Sequence, residues 1–139
     1  MKVFITHSHG NRPLVRQVVK TLKQAGLDVW DDEYDTYPSD NWAKETGEAL
    51  EQSDALVVLI TPDALDSVIV HRDVGFALTN IQFAYRVIPV LVGVDLNVAK
   101  ENFGWIMHYL NPVVVPVWDG QEKGIDQITH ALQALQAAA

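Results

Sequence analysis

The chain has 139 residues, of which 48% are hydrophobic, and a formal net charge of −8 at pH 7. Its length predicts a single domain over residues 1–139, and its hydrophobic content excludes a disordered chain. Because a phosphate backbone requires a basic surface, we expect neither nucleic acid nor an anionic membrane as a partner. The chain has no cysteine, which excludes disulfides and thiolate metal ligands. It shows no signal-peptide pattern and no apolar run of membrane length, so we expect a cytoplasmic protein.

Five short apolar runs are typical of β-strands. The third and fourth are apolar throughout, which is typical of strands covered on both faces of a parallel sheet. The runs are Val3–Ile5, Leu27–Trp30, Ala55–Ile60, Val87–Val92 and Val113–Val117.

Helical periodicity fills the segments between these runs. Apolar residues over 14–22 recur at spacings of four, and Gly26 then provides a helix stop. A second helix is predicted to begin near Trp42, and a last helix is predicted over residues 125–135. For residues 97–109 the pattern predicts only a short or broken helix.

The stretch Ser67–Leu78, after the third strand, predicts an amphipathic helix. It places a single carboxylate, Asp73, on the predicted polar face. An aspartate on an exposed helix face is ordinary, but one that faces a cleft is a candidate catalyst. The predicted core stripe of this helix is Val74, Ala77, Leu78 and Ile81.

Strands that alternate with helices predict a parallel sheet with right-handed crossovers. Five strands in a chain of this length fit the doubly wound, flavodoxin-like α/β fold with the strand order 2-1-3-4-5. In that order a crevice opens between strands one and three, beyond their carboxyl ends. We therefore expect three segments to border the crevice, namely 6–11, 32–41 and the residues after Ile60.

Two polar clusters near this crevice have ordinary explanations. His7, Ser8 and His9 are expected to supply hydrogen bonds, because no third metal ligand follows at a fitting spacing. The acidic run Asp31–Glu33 is typical of a solvated loop, and the acidic pair that a phospho-receiver needs after strand one is missing. Neither glycine-rich phosphate loop occurs. We therefore predict no metal site and no phosphate loop.

The sequence resembles the Toll/interleukin-1 receptor (TIR) domain family in six motifs that occur in the family's order. They correspond to the F-I-S-Y-S box, the second strand with the start of the BB loop, the P-G-D-x-W end of that loop, the third strand between S-D and S-P, the S-x-W-x-x-x-E-x-x-x-A segment and the fourth strand. In this sequence they are Phe4–His9, Gly26–Asp32, Pro38–Trp42, Ser53–Pro62, Ser67–Ala77 and Arg86–Val90. The resemblance implies a stand-alone TIR domain of bacterial type with the flavodoxin-like fold.

The resemblance also implies two hypotheses about function. Some TIR domains act in signalling or defence as NAD+ glycohydrolases or cyclases, which cleave the nicotinamide–ribose bond with the glutamate of the S-x-W-x-x-x-E segment. Asp73 stands at that position, NAD+ would be the substrate, and no cofactor is implied. Other members are non-catalytic modules that assemble with further TIR domains, as homo-oligomers or filaments, through the BB loop. A nucleoside deoxyribosyltransferase-like enzyme is a third and more distant hypothesis.

The substrate-binding residues that the resemblance implies lie after strand one, at the end of the BB loop and at the start of the Asp73 helix. They are Thr6, His7, Ser8, His9, Trp42, Ser67 and Ile69. The BB-loop residues implied in assembly are Asp32, Glu33, Tyr34, Tyr37, Pro38, Ser39 and Asp40. The chain departs from the family pattern in four places. Asp73 is one methylene shorter than glutamate, and Ile69, Ser39 and His7 replace a tryptophan, a glycine and a tyrosine.

Overall fold

One parallel sheet organises the computed structural model, which describes residues 1–31, 42–104, 110, 112–117 and 120–138. The strand order is β2-β1-β3-β4-β5, so the predicted order is confirmed. Thr6 lies opposite Val58, and Ile60 lies opposite Leu91. The strands are β1 (Lys2–Thr6), β2 (Asp28–Asp31), β3 (Ala55–Ile60), β4 (Val87–Leu91) and β5 (Val113–Val114).

The last strand is shorter than the predicted run 113–117. Val115 still donates its backbone N–H to the carbonyl of Leu91 at 3.0 Å, just beyond the end of β5. Pro116 follows, and its fixed φ and missing N–H are unfavourable for sheet pairing. The prediction was therefore correct in position and wrong in length.

Helices on both faces connect the strands. Gly26, with φ of +86°, follows the first helix and confirms the predicted stop. A short helix begins at Leu96, close to the predicted start at 97, and 105–109 lie outside the described residues. The helices are α1 (Arg12–Gln24), α2 (Trp42–Gln52), α3 (Val68–Thr79), α4 (Leu96–Phe103) and α5 (Gln121–Ala138), with short 3₁₀ turns at His9–Asn11, Pro62–Asp66 and Ile81–Phe83.

Two apolar layers enclose the sheet, because successive side chains of a strand point to opposite faces. Val3 and Ile5 pack with α1 and α5, whereas Phe4 packs with α2, α3 and α4. All six residues of β3 are buried, as its uniformly apolar sequence predicts. Each large apolar side chain buried in this way contributes about 1.5–3 kcal/mol. The site therefore rests on a rigid central sheet.

The third helix buries a different stripe from the predicted one. Leu78 is 37% exposed and Ile81 is 93% exposed, so the prediction was wrong for both. Because α3 ends at Thr79, helical spacing no longer determines where Ile81 lies. Asp73 is fully buried, so its predicted place on a polar face was also wrong. The buried residues of α3 are Val70, Asp73, Val74 and Ala77.

Candidate functional site

Thr6 and Asp73 form the centre of the site, at the carboxyl ends of β1 and β3. Thr6 is the last residue of β1, and α3 follows β3 through the turn at Pro62–Asp66. The Thr6 hydroxyl donates to Asp73 Oδ2 at 2.8 Å, and both side chains are buried. A hydrogen bond to a charged acceptor is strong, and it compensates part of the cost of placing a carboxylate among core residues.

Arg72 contacts the second oxygen of the same carboxylate. Its Nη2 and Nε lie 3.1 Å and 3.3 Å from Asp73 Oδ1. The Arg72 side chain is 47% exposed, whereas that of Asp73 is 0% exposed. The guanidinium therefore stays hydrated while it neutralises a carboxylate that has lost its own water, a favourable arrangement for a buried charge.

Burial raises the pKa of Asp73 above its ordinary value of 3.8. The hydrogen bond from Thr6, the charge and hydrogen bond of Arg72 and the charge of His7 lower the pKa, but they do not cancel the desolvation. A carboxyl group with a raised pKa, next to a specific cation and at the carboxyl edge of a parallel sheet, has the features of a functional acid.

The loop after β1 places two further polar side chains at this edge. His7 is 5% exposed, and its Nδ1 donates to the carbonyl of Ser8 at 2.9 Å. Because a carbonyl only accepts, the proton in this bond belongs to Nδ1. Ser8 is buried as well, and its hydroxyl accepts a bond from Asn11. Buried hydrogen bonds thus order the loop.

Asn11 connects this loop to the loop after β3. Its Nδ2 donates to Ser8 Oγ and to Thr61 Oγ1, both at 2.8 Å. Thr61 Oγ1 also accepts a backbone N–H of the turn that it begins, at 3.3 Å. The same loops approach at Gly10, where a Cβ atom would lie 2.6 Å from Asp63 Oδ2. The two loops that border the predicted crevice are therefore held in one relative position.

Ser67 and His71 position the start of α3. Ser67 Oγ accepts from the backbone N–H of Val70 at 3.3 Å, which caps the helix. His71 Nε2 donates to the carbonyl of Leu65 at 2.7 Å, and its ring stacks on Phe103 with centroids 4.3 Å apart. These contacts fix the helix against the preceding turn and against α4.

The structure brings together four of the predicted site residues, and it describes the others only in part. Ile69 is half-buried, and Ser67 serves as the helix cap. The backbone of His9 lies in a 3₁₀ turn, and Trp42 begins α2 as predicted, but both side chains lie outside the described residues. The BB-loop residues Asp32–Asp40 also lie outside the described residues. The binding and assembly roles implied for all these residues stay predictions. The residues brought together are Thr6, His7, Ser8 and Asp73.

Sequence reasoning missed Arg72 and Asn11. A cation directly before a buried acid was the available signal for Arg72. Asn11 had no comparable signal, because its partner Thr61 lies fifty positions away in the chain. Only the pairing of β1 with β3 brings these two residues together.

The residues that the structure describes contain no group of three or more histidine, cysteine, aspartate or glutamate residues arranged to hold a metal ion. In the same part of the chain, no helix is long and apolar enough to cross a membrane.

Solved structures share the fold at low sequence identity. The TIR domains of the activated Roq1 resistosome, which recognises the pathogen effector XopQ, match with a TM-score of 0.75 and 16% identity, over 94% of this chain and 98% of that chain. A metazoan TIR-STING receptor from C. gigas, in complex with 2',3'-cGAMP, matches with a TM-score of 0.72 and 17% identity, over 93% of this chain. This chain spans only 38% of that receptor's chain.

An enzyme is also among the structural neighbours. A 2-deoxyribosyltransferase from Bacillus psychrosaccharolyticus matches with a TM-score of 0.57 and 14% identity, over 93% of this chain and 90% of that chain. At such identities these likenesses establish the fold alone. No curated protein matches the chain in sequence. The family model of the TIR domain, however, matches residues 3–129, which include the whole sheet except Lys2, the first residue of β1. The chain therefore belongs to the TIR domain family.

Proposed function

We propose that this TIR domain cleaves NAD+ at the nicotinamide–ribose bond, as a glycohydrolase or cyclase that acts in signalling or defence. The observation that carries the proposal is the Asp73 carboxylate, which Thr6 and Arg72 hold at the carboxyl ends of β1 and β3. Asp73 stands where the catalytic glutamate of the family's enzymes stands. NAD+ is the substrate in this proposal, and the chemistry requires no cofactor.

The reaction suits a fixed carboxylate. The bond between ribose C1' and the nicotinamide nitrogen breaks, and its electron pair leaves with nicotinamide, which becomes neutral. The ribose then carries positive charge at C1' and the ring oxygen. A carboxylate beside the ribose stabilises this charge and accepts hydrogen bonds from the ribose hydroxyls. Water attacks C1' and loses a proton to give ADP-ribose, or a nucleophile within the same molecule attacks to give a cyclic isomer.

The contacts of Asp73 indicate how substrate would reach it. The Thr6 bond orients Oδ2 from inside the molecule, whereas Oδ1 is covered by the half-exposed side chain of Arg72. Movement of Arg72 would uncover Oδ1 for the ribose hydroxyls, while the Thr6 bond keeps the carboxylate in place. His7 and Ser8 would line the nicotinamide side, and Trp42 with the BB loop would close over the ligand. The shorter aspartate requires the ribose to lie closer to α3 than a glutamate would.

Nicotinamide release from NAD+ by concentrated protein tests the proposal. High concentration is needed because enzymes of this family often complete the site by assembly. We expect release by the wild type, a loss of at least about 100-fold in Asp73→Ala, and release by Asp73→Glu. Asp66→Ala is the matched control, because Asp66 is an exposed acid in the turn before α3. Release by Asp73→Glu but none by the wild type would identify a disabled site and refute the proposal.

One observation favours a second candidate function, a non-catalytic module that acts by self-assembly. Asp73 is 0% exposed, and both of its oxygens are engaged by neighbouring side chains. Such a carboxylate can serve as a purely structural link between β1 and α3. The Roq1 TIR domains belong to a resistosome, which supports assembly as a role for this fold. Sedimentation of the wild type over a wide concentration range tests this candidate, and a monomer throughout would refute it.

A parallel incubation with a 2'-deoxynucleoside addresses the transferase hypothesis. Its support is the shared fold of the 2-deoxyribosyltransferase, which also acts on a glycosidic bond. Release of the base from a 2'-deoxynucleoside, without release of nicotinamide from NAD+, would favour that enzyme class over the proposed one.

A further inference from the structure

An apolar surface lies at the end of the molecule opposite the candidate site. It consists of Leu78, Ile81 and Tyr85, and we call it the Ile81–Tyr85 surface. Ile81 and Tyr85 are each 93% exposed and Leu78 is 37% exposed. Leu78 lies in the last turn of α3, and Ile81 and Tyr85 lie between α3 and β4, so the surface is at the amino end of the sheet. Single exposed apolar residues are ordinary, but three on one short segment suggest an interaction site.

Two apolar grooves adjoin this surface. The first, of about 380 Å³, runs along the end of α3 and the 3₁₀ turn at Ile81–Phe83. The second, of about 280 Å³, is bordered by the apolar side of α5 near Leu135. Both grooves are lined by Tyr85, Val87 and Leu110, so they lie side by side. The surface thus offers projecting apolar side chains directly beside apolar depressions.

The segments that form the surface lack acidic residues, although the chain has 18 of them. No aspartate or glutamate occurs in 74–94 or in 127–139, and Arg86 has the only formally charged side chain there. One acid, Glu51, contacts the turn, because its backbone carbonyl accepts from Gln82 at 2.7 Å. Two copies with a net charge of −8 repel each other over most of their surfaces, and this is where they can approach with little repulsion.

The turn that carries the surface is rigid. Gln82 Nε2 also donates to the carbonyl of Ser53 at 3.2 Å, which attaches the turn to the end of α2. Phe83 is 1% exposed and packs edge-on against Phe76, with centroids 6.1 Å apart. Tyr85 has a φ of +62°, a left-handed conformation that is costly for a tyrosine. These contacts hold the backbone that carries Ile81 and Tyr85 in one position, which lowers the entropic cost of binding.

We infer that the Ile81–Tyr85 surface binds the same surface of a second copy of this chain, in a two-fold symmetric pair. Ile81 and Tyr85 of each copy enter the groove of the other, as a self-complementary interface requires. The inference rests on the proposed self-assembly and is independent of NAD+ cleavage. It places a contact at the amino end of the sheet, opposite the candidate site.

Sedimentation velocity of the whole chain tests the inference. We expect concentration-dependent dimers, and we expect Ile81→Glu to raise the dissociation constant at least about tenfold, because each dimer contains the change twice. Tyr85→Asp is the second variant, since aspartate tolerates the left-handed conformation. Val68→Glu is the matched control, because Val68 is 81% exposed at the other end of α3. Thermal melts establish that the variants fold.

Salt provides an independent measurement. Between about 0.01 M and 0.15 M salt the Debye length falls from about 30 Å to about 8 Å, which screens the repulsion between two acidic copies. Dimerisation through an apolar, acid-free surface should therefore strengthen as salt is added.

Three results would overturn the inference. Dimers that survive Ile81→Glu and Tyr85→Asp but dissociate in Val68→Glu would leave self-assembly intact and place its contact at the start of α3. Dimers that weaken with added salt would indicate a contact between opposite charges. A wild type that stays monomeric at every concentration would refute both this surface and the proposed self-assembly. Nicotinamide release from the same samples reports separately on the catalytic proposal.

Discussion

The middle of α3 and the turn that follows this helix depart from ordinary burial in opposite directions. Asp73 is an acid with 0% exposure, whereas Ile81 is an aliphatic residue with 93% exposure. Each exception is held by specific bonds, from Thr6 and Arg72 to Asp73 and from Gln82 to the end of α2. Exceptions maintained in this way are more informative about function than the regular core is. The carboxyl end of the sheet thus suits chemistry, and the amino end suits association.

Asp73→Asn should have the largest effect of the substitutions considered. The amide retains an oxygen that can accept from Thr6, but it removes the charge that the proposed reaction needs. We expect nicotinamide release to fall by at least about 100-fold while the free energy of unfolding at neutral pH rises. Nicotinamide assays and urea unfolding of the same samples measure both effects. Lower activity with lower stability would instead indicate that the charge holds the fold together.

The pH dependence of stability gives the same substitution a second readout. The pKa of Asp73 in the folded state is raised above 3.8, so the folded protein binds this proton more tightly than the unfolded chain does. The stability from this group is complete below the unfolded pKa and is lost as the pH rises through the folded pKa. The advantage of Asp73→Asn should therefore be small near pH 4 and largest at neutral pH. An advantage that did not change with pH would contradict the raised pKa.

Asn11→Ala would break the link between the loops that border the site. It removes two hydrogen bonds of 2.8 Å, to Ser8 and Thr61, and should cost about 1–2 kcal/mol in the free energy of unfolding. Because Ser8 would lose its orientation, we also expect weaker NAD+ turnover. Asn102→Ala is the matched control, since the Asn102 amide donates to the carbonyl of Val98, one turn back in the same helix, in an exposed bond. Equal losses in the two variants would show that the link has no special role.

The fold could be predicted from the sequence because it depends on local patterns. Uniformly apolar runs such as Ala55–Ile60 indicated buried parallel strands, and Gly26 marked the end of a helix. The burial of Asp73 could not be predicted, because it depends on two side-chain contacts. One is with Thr6, which lies 67 positions away, and the other is with the neighbouring Arg72, whose guanidinium contacts the Asp73 carboxylate. The exposure of Ile81 depends on where α3 ends, which periodicity alone does not determine. Sequence periodicity therefore gave the wrong burial for residues whose exposure is determined by tertiary contacts.

Thr46→Val tests whether the buried hydroxyl of Thr46 contributes to the stability of the protein. Thr46 is 0% exposed, and its hydroxyl has no hydrogen-bond partner in the described part of the chain. Valine has nearly the same shape and no polar atom, so this change should raise the free energy of unfolding by about 1 kcal/mol. Thr6→Val is the contrast, because it removes the donor to Asp73 and should destabilise the protein. A loss of stability in Thr46→Val would indicate that its hydroxyl has a partner after all.

Tyr85→Gly is the smallest expected change in stability, and it separates folding from association. Glycine relieves the left-handed strain at φ of +62° but adds freedom to the unfolded chain, so the free energy of unfolding should rise by no more than about 1 kcal/mol. The same change removes one of the two side chains proposed to enter the partner's groove, so the dimer should weaken although the monomer does not. Urea unfolding and sedimentation measure the two effects.

The left-handed conformation of Tyr85 lowers the stability of the monomer. This cost is readily explained if the tyrosine contributes to a contact between copies. If Tyr85→Gly left the dimer unchanged, association would not explain the strained tyrosine. The exposed residues at the amino end of the sheet would then have no role comparable to that proposed for Asp73 at the carboxyl end.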